Sequence, residues 1–416
     1  MTSHALNIGR VLAPDRHLPI AVVSTAVPPS ASGQSRVLEQ LLLGVPRESC
    51  TFFSDQTGFL RGLEDRDRLG RYVSLRQPQF LLAPGLTSAR LTSLNNRLGL
   101  NATIFQRSGQ IVAELRAKKP AALIACSGNP FDLPAAFLAS RRLRVPFVAY
   151  LFDDPVFQWP TDTYRGFALF WERIWGRRAA LVVVPNEVLR DDFLKRRRGA
   201  KVTMVRNPVA DAAFRTGRSK QAPPGTGPLR LVYTGSVYHA QGDAFRNLLA
   251  ALDVLDAGHQ LHVYSSQSQA DFEAQGLVGP HVVRHEHVPS EEAYRVQHAA
   301  DVLFLPLAFR SSIQDVIRSS APAKMAEYLA SGRPVLVHAP ADSFISSFFR
   351  ERGCGIVVDV AEPALLAEAL KRVAKDEVLR AGLIGAAAKI APEFHAERAR
   401  EAFWTALARV ALRGRS

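Results

Sequence analysis

The sequence predicts an α/β protein built from two doubly wound, Rossmann-like domains that face each other across a cleft. Three observations support this prediction. Short apolar runs alternate with helix-period segments along almost the whole chain, a pattern typical of parallel α/β layers. The length of 416 residues exceeds what one typical core holds. A stretch rich in proline, glycine and polar residues, 215–228, divides the alternation into two series.

The predicted domain boundaries follow from this division. The first domain covers residues 1–214, the linker covers 215–228, and the second domain covers 229–395. Residues 396–416 form a final amphipathic helix with a basic tail, which we expect to cross back to the first domain. Ligands of such sheets bind at the carboxyl ends of the strands, so we expect functional residues in the loops that follow the strands.

Each series contains candidate strands that are short and almost wholly apolar, as buried parallel strands are. In the first series they are Ile20–Ser24, Ala122–Ser127, Phe147–Phe152, Leu181–Pro185 and Val202–Val205. In the second they are Leu231–Thr234, Leu261–Ser265, Val282–His285, Val302–Leu305, Val335–His338 and Ile356–Asp359. The stretch 55–119 is arginine-rich and weakly periodic, and its pattern defines no clear element.

The chain is strongly basic, with a formal net charge of +14. Such a surface attracts nucleic acid, an anionic membrane or a phosphorylated substrate. The run Lys195–Arg198 is the most basic segment, yet no aromatic residues interleave with it and no nucleic-acid-binding motif occurs. We therefore expect no nucleic-acid partner, and we interpret this run as a solvated helix end.

The three cysteines, Cys50, Cys126 and Cys354, are dispersed and lack metal-ligand spacing, so we expect neither a disulfide framework nor a metal site. The first residues lack a signal-peptide core, and no apolar run approaches a membrane span. We expect a cytoplasmic protein, either soluble or peripheral on the inner face of the membrane.

The segment 319–337 is the most informative part of the chain and predicts a capped helix followed by a buried strand. Ser319 or Ser320 can serve as N-cap, Pro322 suits the first turn, and Gly332 ends the helix. Because a helix N-terminus carries free amides and partial positive charge, it can bind phosphate.

Two charged residues of this helix extend that chemistry. Lys324 adds a full positive charge near the N-terminus. Glu327 shares its face of the helix and could accept hydrogen bonds from a vicinal diol. A phosphate site, a cation and a diol acceptor together suit a sugar nucleotide. The alternative is an ordinary helix with a surface Lys–Glu pair.

This segment resembles the donor-binding helix of glycosyltransferase family four, the group 1 enzymes of the GT-B fold, in the variant Pro-x-Lys-x-x-Glu-Tyr-Leu-Ala-x-Gly-Arg-Pro-Val. The similarity covers roughly 230–403. Gly235 and Ser236 match the strand end where a family glycine lets the donor diphosphate approach. His287 and Val288 match a loop that lines the base pocket. The resemblance implies a nucleoside-diphosphate sugar as co-substrate, a saccharide or lipid-linked acceptor, and retention of anomeric configuration.

The sequence departs from the family pattern at two places. Many members carry a second glutamate upstream of the one that Glu327 matches, and Ser319 stands at that position. A hydroxyl cannot act as a carboxylate, so the catalytic role of Ser319 is left open. Many members also place Arg and Lys after the first strand of this domain. Here Lys324, Arg310 or Arg318 would have to supply that charge, with Ser320 beside the helix start as a further donor contact.

In the first series the resemblance is looser. The small-residue loop Ser24–Ser35 carries Gly33 near a helix start; in related enzymes such a loop closes over the donor phosphates or shapes the acceptor site, and an ordinary loop is the alternative. Asp153 and Asp154 follow an apolar strand and could include a general base for an acceptor hydroxyl. They could equally cap the next helix or bind loop amides.

An aromatic helix is predicted over 163–178. Phe167, Phe170, Trp171 and Ile174 form one stripe at helical spacing. Four arginines lie off that stripe: Arg165, Arg173, Arg177 and Arg178. Helices of this composition lie among acidic lipid headgroups. The alternative is a helix packed on the sheet with its basic face in water.

These observations predict a metal-independent glycosyltransferase in surface polysaccharide or glycoconjugate synthesis. Two alternatives share the fold. A sugar-nucleotide epimerase would need no acceptor, and a non-catalytic sugar-nucleotide-binding protein would be consistent with a serine at position 319.

Overall fold

A computed structural model describes residues 18–30, 32–61, 64, 68–77, 89–159, 162–215, 227–255 and 258–413. The chain divides into two compact units. Unit 1 comprises Met1–Arg206 and Glu397–Ser416, and unit 2 comprises Asn207–Ala396. Each unit is a parallel sheet covered by helices, which confirms the predicted α/β class with two Rossmann-like domains.

Within its described residues, unit 1 holds a seven-stranded parallel sheet in the order β3-β2-β1-β4-β5-β6-β7. The strands are β1 (Ile20–Val23), β2 (Cys50–Ser54), β3 (Arg71–Ser74), β4 (Ala122–Cys126), β5 (Phe147–Tyr150), β6 (Leu181–Val184) and β7 (Val202–Met204). Every residue of β1, β4, β5 and β6 is buried, as helices on both faces require.

The helices of unit 1 are α1 (Gly33–Leu42), α2 (Ala89–Leu115), α3 (Asp132–Leu143), α4 (Asp162–Trp175) and α5 (Glu187–Arg196). Alternate residues of β1 pack on opposite faces. Val23 lies in the core formed with α2, α3 and α4, and Val22 lies in the core formed with α1 and the last helix of the chain (Ala396–Arg413). Trp404 Nε1 donates to Leu41 O at 3.0 Å, so the C-terminal helix packs on unit 1 as expected.

Unit 2 holds a six-stranded parallel sheet among its described residues, in the order β10-β9-β8-β11-β12-β13. Its strands are β8 (Arg230–Thr234), β9 (Gln260–Tyr264), β10 (Val282–His285), β11 (Val302–Pro306), β12 (Val335–His338) and β13 (Ile356–Val358). Its helices are α6 (Asp211–Arg215), α7 (Gly242–Leu255), α8 (Gln269–Ala274), α9 (Ser290–His298), α10 (Gln314–Ser319), α11 (Ala323–Ala330), α12 (Phe344–Arg352), α13 (Pro363–Lys375) and α14 (Glu377–Ile390), and Ala396–Arg413 is α15.

The structure contains every strand that the sequence predicted and two more, β2 and β3. The missed β3 has two half-buried residues between two exposed ones, so it lacks the continuous apolar run of a buried strand.

The boundary between the two units lies earlier in the chain than the predicted linker, because unit 2 begins at Asn207. The segment that follows packs inside unit 2. Asn207 Nδ2 donates to Ala321 O at 2.8 Å, and His298 Nε2 lies 2.9 Å from Ala213 O. Of the predicted linker 215–228, residues 216–226 lie outside the described residues.

Candidate functional site

Gly235 ends β8 at the carboxyl edge of the sheet in unit 2. Its backbone has φ of +116°, which glycine adopts without strain, and its amide donates to Tyr264 O at 2.8 Å. A Cβ at this position would lie 3.4 Å from Lys324 Nζ. The structure therefore brings together Gly235 and Lys324, which the sequence assigned to the same diphosphate site.

Lys324 is anchored to the same strand end through Tyr233. Its Nζ donates to Tyr233 Oη at 2.8 Å, and Tyr233 Oη donates to Ser236 O at 2.9 Å. Burial raises the pKa of the Tyr233 phenol, so the phenol stays neutral at physiological pH. The contacts fix the position of the Lys324 charge without neutralising it.

Glu327 lies one helical turn further along α11 and is buried, with 8% of its surface exposed. Gln297 Nε2, on α9, donates to Glu327 Oε2 at 2.8 Å and to Thr234 Oγ1 at 2.9 Å. The Tyr328 hydroxyl accepts from Thr234 N at 3.1 Å. These bonds tie α11 to the end of β8, so Lys324 and Glu327 are held beside Gly235.

The start of α11 differs from the prediction. Neither Ser319 nor Ser320 is its N-cap, because Ser319 is the last residue of α10 and Ser320 follows it. Pro322 precedes α11 and provides no side-chain cap, and the Met325 amide donates to Pro322 O at 2.9 Å within the first turn. Ser319 is buried, and its Oγ donates to Asp315 O at 3.3 Å.

The other predicted donor residues lie on loops at the same edge of the sheet. His287, exposed, and Val288, half-buried, follow β10, which lies two strands, or about 10 Å, from β8. Arg310, also exposed, follows β11, the neighbour of β8. The Asp243 carboxylate accepts from the amides of Phe309 and Arg310 at 3.0 and 2.8 Å, which fixes that loop.

In unit 1, Gly33 is the exposed first residue of α1. The small-residue loop before it is fastened at several points. Ser54 Oγ donates to Thr25 O at 2.7 Å, and Tyr72 Oη donates to Pro28 O at 2.6 Å. The loop is thus positioned by β2 and β3, the two strands that the sequence did not reveal.

Asp153 and Asp154 differ in environment although they are adjacent. Asp154 is buried; its Oδ1 accepts from the Val156 amide at 2.9 Å, and its Oδ2 accepts from Arg196 Nη2 at 2.8 Å. These contacts match the loop-capping alternative. Asp153 is half-buried, and burial, reinforced by the charge of Asp154, raises its pKa to about 6. Asp153 is therefore the candidate for the general base, because Asp154 is already engaged by Arg196 and the Val156 amide.

Sequence reasoning missed a buried ion cluster in unit 1. Arg107 Nη1 donates to Asp132 Oδ1 at 2.7 Å, and Arg107 Nη2 donates to Asp55 Oδ2 at 2.6 Å. Asn129 Nδ2 links the cluster to Thr25 Oγ1 at 2.7 Å. Burial raises the pKa of Asp132 to about 6 despite the opposing charge of Arg107. No local sequence pattern indicates this cluster, because its members are far apart in the sequence.

The aromatic helix α4 packs on the sheet of unit 1. Phe167 and Trp171 are buried in its core, whereas Phe170 is 56% exposed. This arrangement supports the alternative reading of the segment. Among the described residues, no helix has the length and apolar character needed to cross a bilayer. Within the same residues, no group of three or more His, Cys, Asp or Glu side chains could hold a metal ion.

Comparison with known proteins gives two kinds of similarity. Residues 228–376 match the family model described as Glycosyl transferases group 1. No curated protein sequence matches the chain significantly.

Several solved structures share the fold of both units. A glycosyltransferase from Rickettsia africae has a TM-score of 0.65 and 10% identity, covering 95% of this chain and 99% of that chain. Anabaena HepE in complex with UDP-glucose has a TM-score of 0.63 and 14% identity, covering 92% and 98%. WaaG, a glycosyltransferase involved in lipopolysaccharide biosynthesis, has a TM-score of 0.58 and 14% identity, covering 92% and 98%.

The resemblance carried by Gly235 and the Lys324–Glu327 helix is therefore confirmed: residues 228–376 match a domain of the group 1 glycosyl transferases, and the chain has the fold of GT-B glycosyltransferases.

Proposed function

We propose that this protein transfers a sugar from a nucleoside-diphosphate sugar to a saccharide or lipid-linked acceptor. The observation that carries the proposal is the convergence of Gly235, Lys324 and Glu327 at the carboxyl edge of the sheet in unit 2. Each contributes a different part of nucleotide-sugar recognition: close backbone approach, positive charge and a hydrogen-bond acceptor.

The proposed mechanism centres on the departing nucleoside diphosphate. Negative charge develops on it as the glycosidic bond breaks, and positioned cations and amides stabilise such charge without reorganisation. Lys324 and the uncapped first turn of α11 supply both, and Gly235 leaves room for the phosphates beside them. Glu327, held by Gln297, accepts from the ribose hydroxyls. No metal ion is required by this arrangement, and the family resemblance implies retention of configuration.

The acceptor side is assigned to unit 1. Asp153, with its raised pKa, would accept the proton of the attacking hydroxyl, and the loop that leads to Gly33 would contact the acceptor. His287, Val288, Arg310 and Ser320 are assigned to the donor as the resemblance implies, and the role of Ser319 stays open. WaaG, whose fold this chain shares, is involved in lipopolysaccharide biosynthesis, and we propose a step in surface polysaccharide or glycoconjugate synthesis for this protein.

The first experiment is a thermal-shift screen against nucleoside diphosphates and their sugars, without added metal. UDP and UDP-glucose are tested first, because HepE binds UDP-glucose. A ligand that binds only the folded protein raises Tm by mass action. We expect a selective rise with one nucleotide, lost in Glu327→Ala and kept in Glu368→Ala, which removes an exposed glutamate of α13. An equal rise in both variants would show that the donor site lies elsewhere.

Product analysis separates the proposal from its two alternatives. A transferase releases nucleoside diphosphate faster when acceptor is added. An epimerase converts the sugar nucleotide without an acceptor, and a binding protein gives a thermal shift with no turnover.

A further inference from the structure

A cavity of about 410 Å³ opens on unit 1 and is lined by none of the residues assigned to the donor or the acceptor. Six residues line it, and all are cationic: Arg173, Arg177, Lys195, Arg196, Arg197 and Arg198. The first two belong to the end of α4 and the turn after it, and the other four to the end of α5 and beyond. The run that sequence analysis interpreted as a solvated helix end is thus one wall of a concave site.

Two of these cations are fixed by a buried carboxylate. Glu172 is fully buried; it accepts from Arg196 Nη2 at 3.0 Å and forms an ion pair with Arg197 Nη2 at 3.0 Å. Arg196 is also paired with Asp154. The turn at Gly176 makes room for this packing, because a Cβ there would lie 3.1 Å from Arg197 Cγ. The inner wall is therefore built in advance of any ligand.

The outer wall carries positive charge without compensation. Arg173, Arg177 and Arg198 are exposed and form no ion pair with any described carboxylate, whereas Lys195 pairs with Asp192 at 3.3 Å. The dipoles of α4 and α5 favour cations near their C-terminal ends, but only by about 0.3–1 kcal/mol each and only within the last turn. Arg177 and Arg198 lie beyond the helices, so the dipoles do not explain the convergence of all six on one cavity.

We propose that this cavity binds a compact anion carrying more than one phosphate group. Guanidinium groups match phosphate oxygens in pairs and are the preferred residues for such recognition. The cavity falls within the usual size range of small-molecule sites, and three unpaired arginines exceed the charge of a single phosphate. The phosphates belong either to a soluble metabolite or to the headgroup of a lipid, since both present the same oxygens.

The test is a titration with inorganic pyrophosphate in the Lys324→Met background, which weakens competition from the proposed donor site. The Arg173→Gln/Arg177→Gln double variant is compared with Arg141→Gln/Arg142→Gln, which removes the same charge from exposed positions of α3. We expect pyrophosphate affinity to fall at least about tenfold in the first pair only, because each charge-assisted hydrogen bond contributes about 1.5–3 kcal/mol. Equal affinity in both pairs, or no binding in either, would overturn the proposal.

Two further measurements sharpen the result. Without any anion, the Arg173→Gln/Arg177→Gln variant should have an equal or higher Tm, since it removes repulsion between like charges; a lower Tm would mean that these arginines act in folding. Vesicles of phosphatidylcholine with cardiolipin, whose headgroup carries two phosphates, distinguish the source. If the protein binds the vesicles and pyrophosphate displaces it, the ligand is a lipid headgroup. If the protein binds pyrophosphate but not the vesicles, the ligand is soluble. Vesicle binding that neither pyrophosphate nor the double variant changes would show that the cavity is not a specific site, and would overturn the proposal.

Discussion

The carboxyl edges of the two sheets use charge in opposite ways. In unit 1, Arg107 lies between Asp55 and Asp132, so buried charges neutralise one another and hold the loop around Thr25. In unit 2, Lys324 is held by the neutral Tyr233 and Glu327 is bound by the neutral Gln297. A neutral hydrogen-bond partner holds a charged group in position without neutralising its charge. The charges at the edge in unit 2 are therefore available to a charged ligand, whereas those at the edge in unit 1 hold a loop in place.

The largest expected effect tests the structural role of charge in unit 1. Arg107→Met leaves the buried Asp132 and the half-buried Asp55 without their counter-ion, and breaking a buried pair costs about 3–5 kcal/mol. We expect this loss in the free energy of unfolding by denaturant titration. Arg141→Met, at an exposed position, should change it by less than about 0.5 kcal/mol. A small loss in Arg107→Met would mean that the cluster contributes little to the fold.

The next effect concerns Asp153, whose pKa in the folded protein is about 6 against an ordinary value of 3.8. Because the folded state holds this proton more tightly, its contribution is complete at low pH and is lost as pH rises through about 6. Relative to Asp153→Asn, the wild type should therefore lose about 2 kcal/mol of stability between pH 4 and 7.

The same group gives a kinetic prediction. If Asp153 is the general base, kcat/KM should rise with pH through about 6, as the carboxylate forms, and Asp153→Asn should abolish most of the activity. Asp154→Asn is a less suitable probe, since Asp154 pairs with Arg196. A pH profile with no inflection near that pH would argue against the assignment.

A smaller effect is expected at Gly235. Gly235→Ala forces a side chain into a positive φ, which costs about 1–3 kcal/mol, and places its Cβ against Lys324 Nζ. Gly279→Ala has a comparable φ of +125° but nothing within 4 Å of its Cβ, so it serves as a control for strain alone. Nucleotide affinity should fall in the first variant and not in the second.

The smallest effect tests whether a neutral partner positions Lys324. Tyr233→Phe removes the hydroxyl that accepts from Lys324 Nζ and donates to Ser236 O. We expect a loss of about 1 kcal/mol in nucleotide binding by calorimetry, because Lys324 keeps its charge and loses only its orientation. A loss as large as that in Lys324→Met would mean that Tyr233 itself contacts the ligand.

The fold class, most of the strands, and the placement of Lys324 and Glu327 on one helix face could be predicted from the sequence. These features depend on local periodicity and on spacing within one element, which the sequence records directly. Local patterns of this kind cannot show where one helix ends and the next begins. The sequence placed Ser319 or Ser320 at the start of α11, because a short helix, α10, ends there and its pattern merges with the next.

The hydrogen-bond and ion-pair partners of the site residues became evident only from the folded structure. Gln297 binds Glu327, Arg107 joins Asp55 to Asp132, and Glu172 anchors the Lys195–Arg198 run. In each case the partners lie on different helices or strands, so their contact depends on how the elements pack. A buried polar group must be satisfied by whichever group packing brings near it, and no local pattern specifies that neighbour.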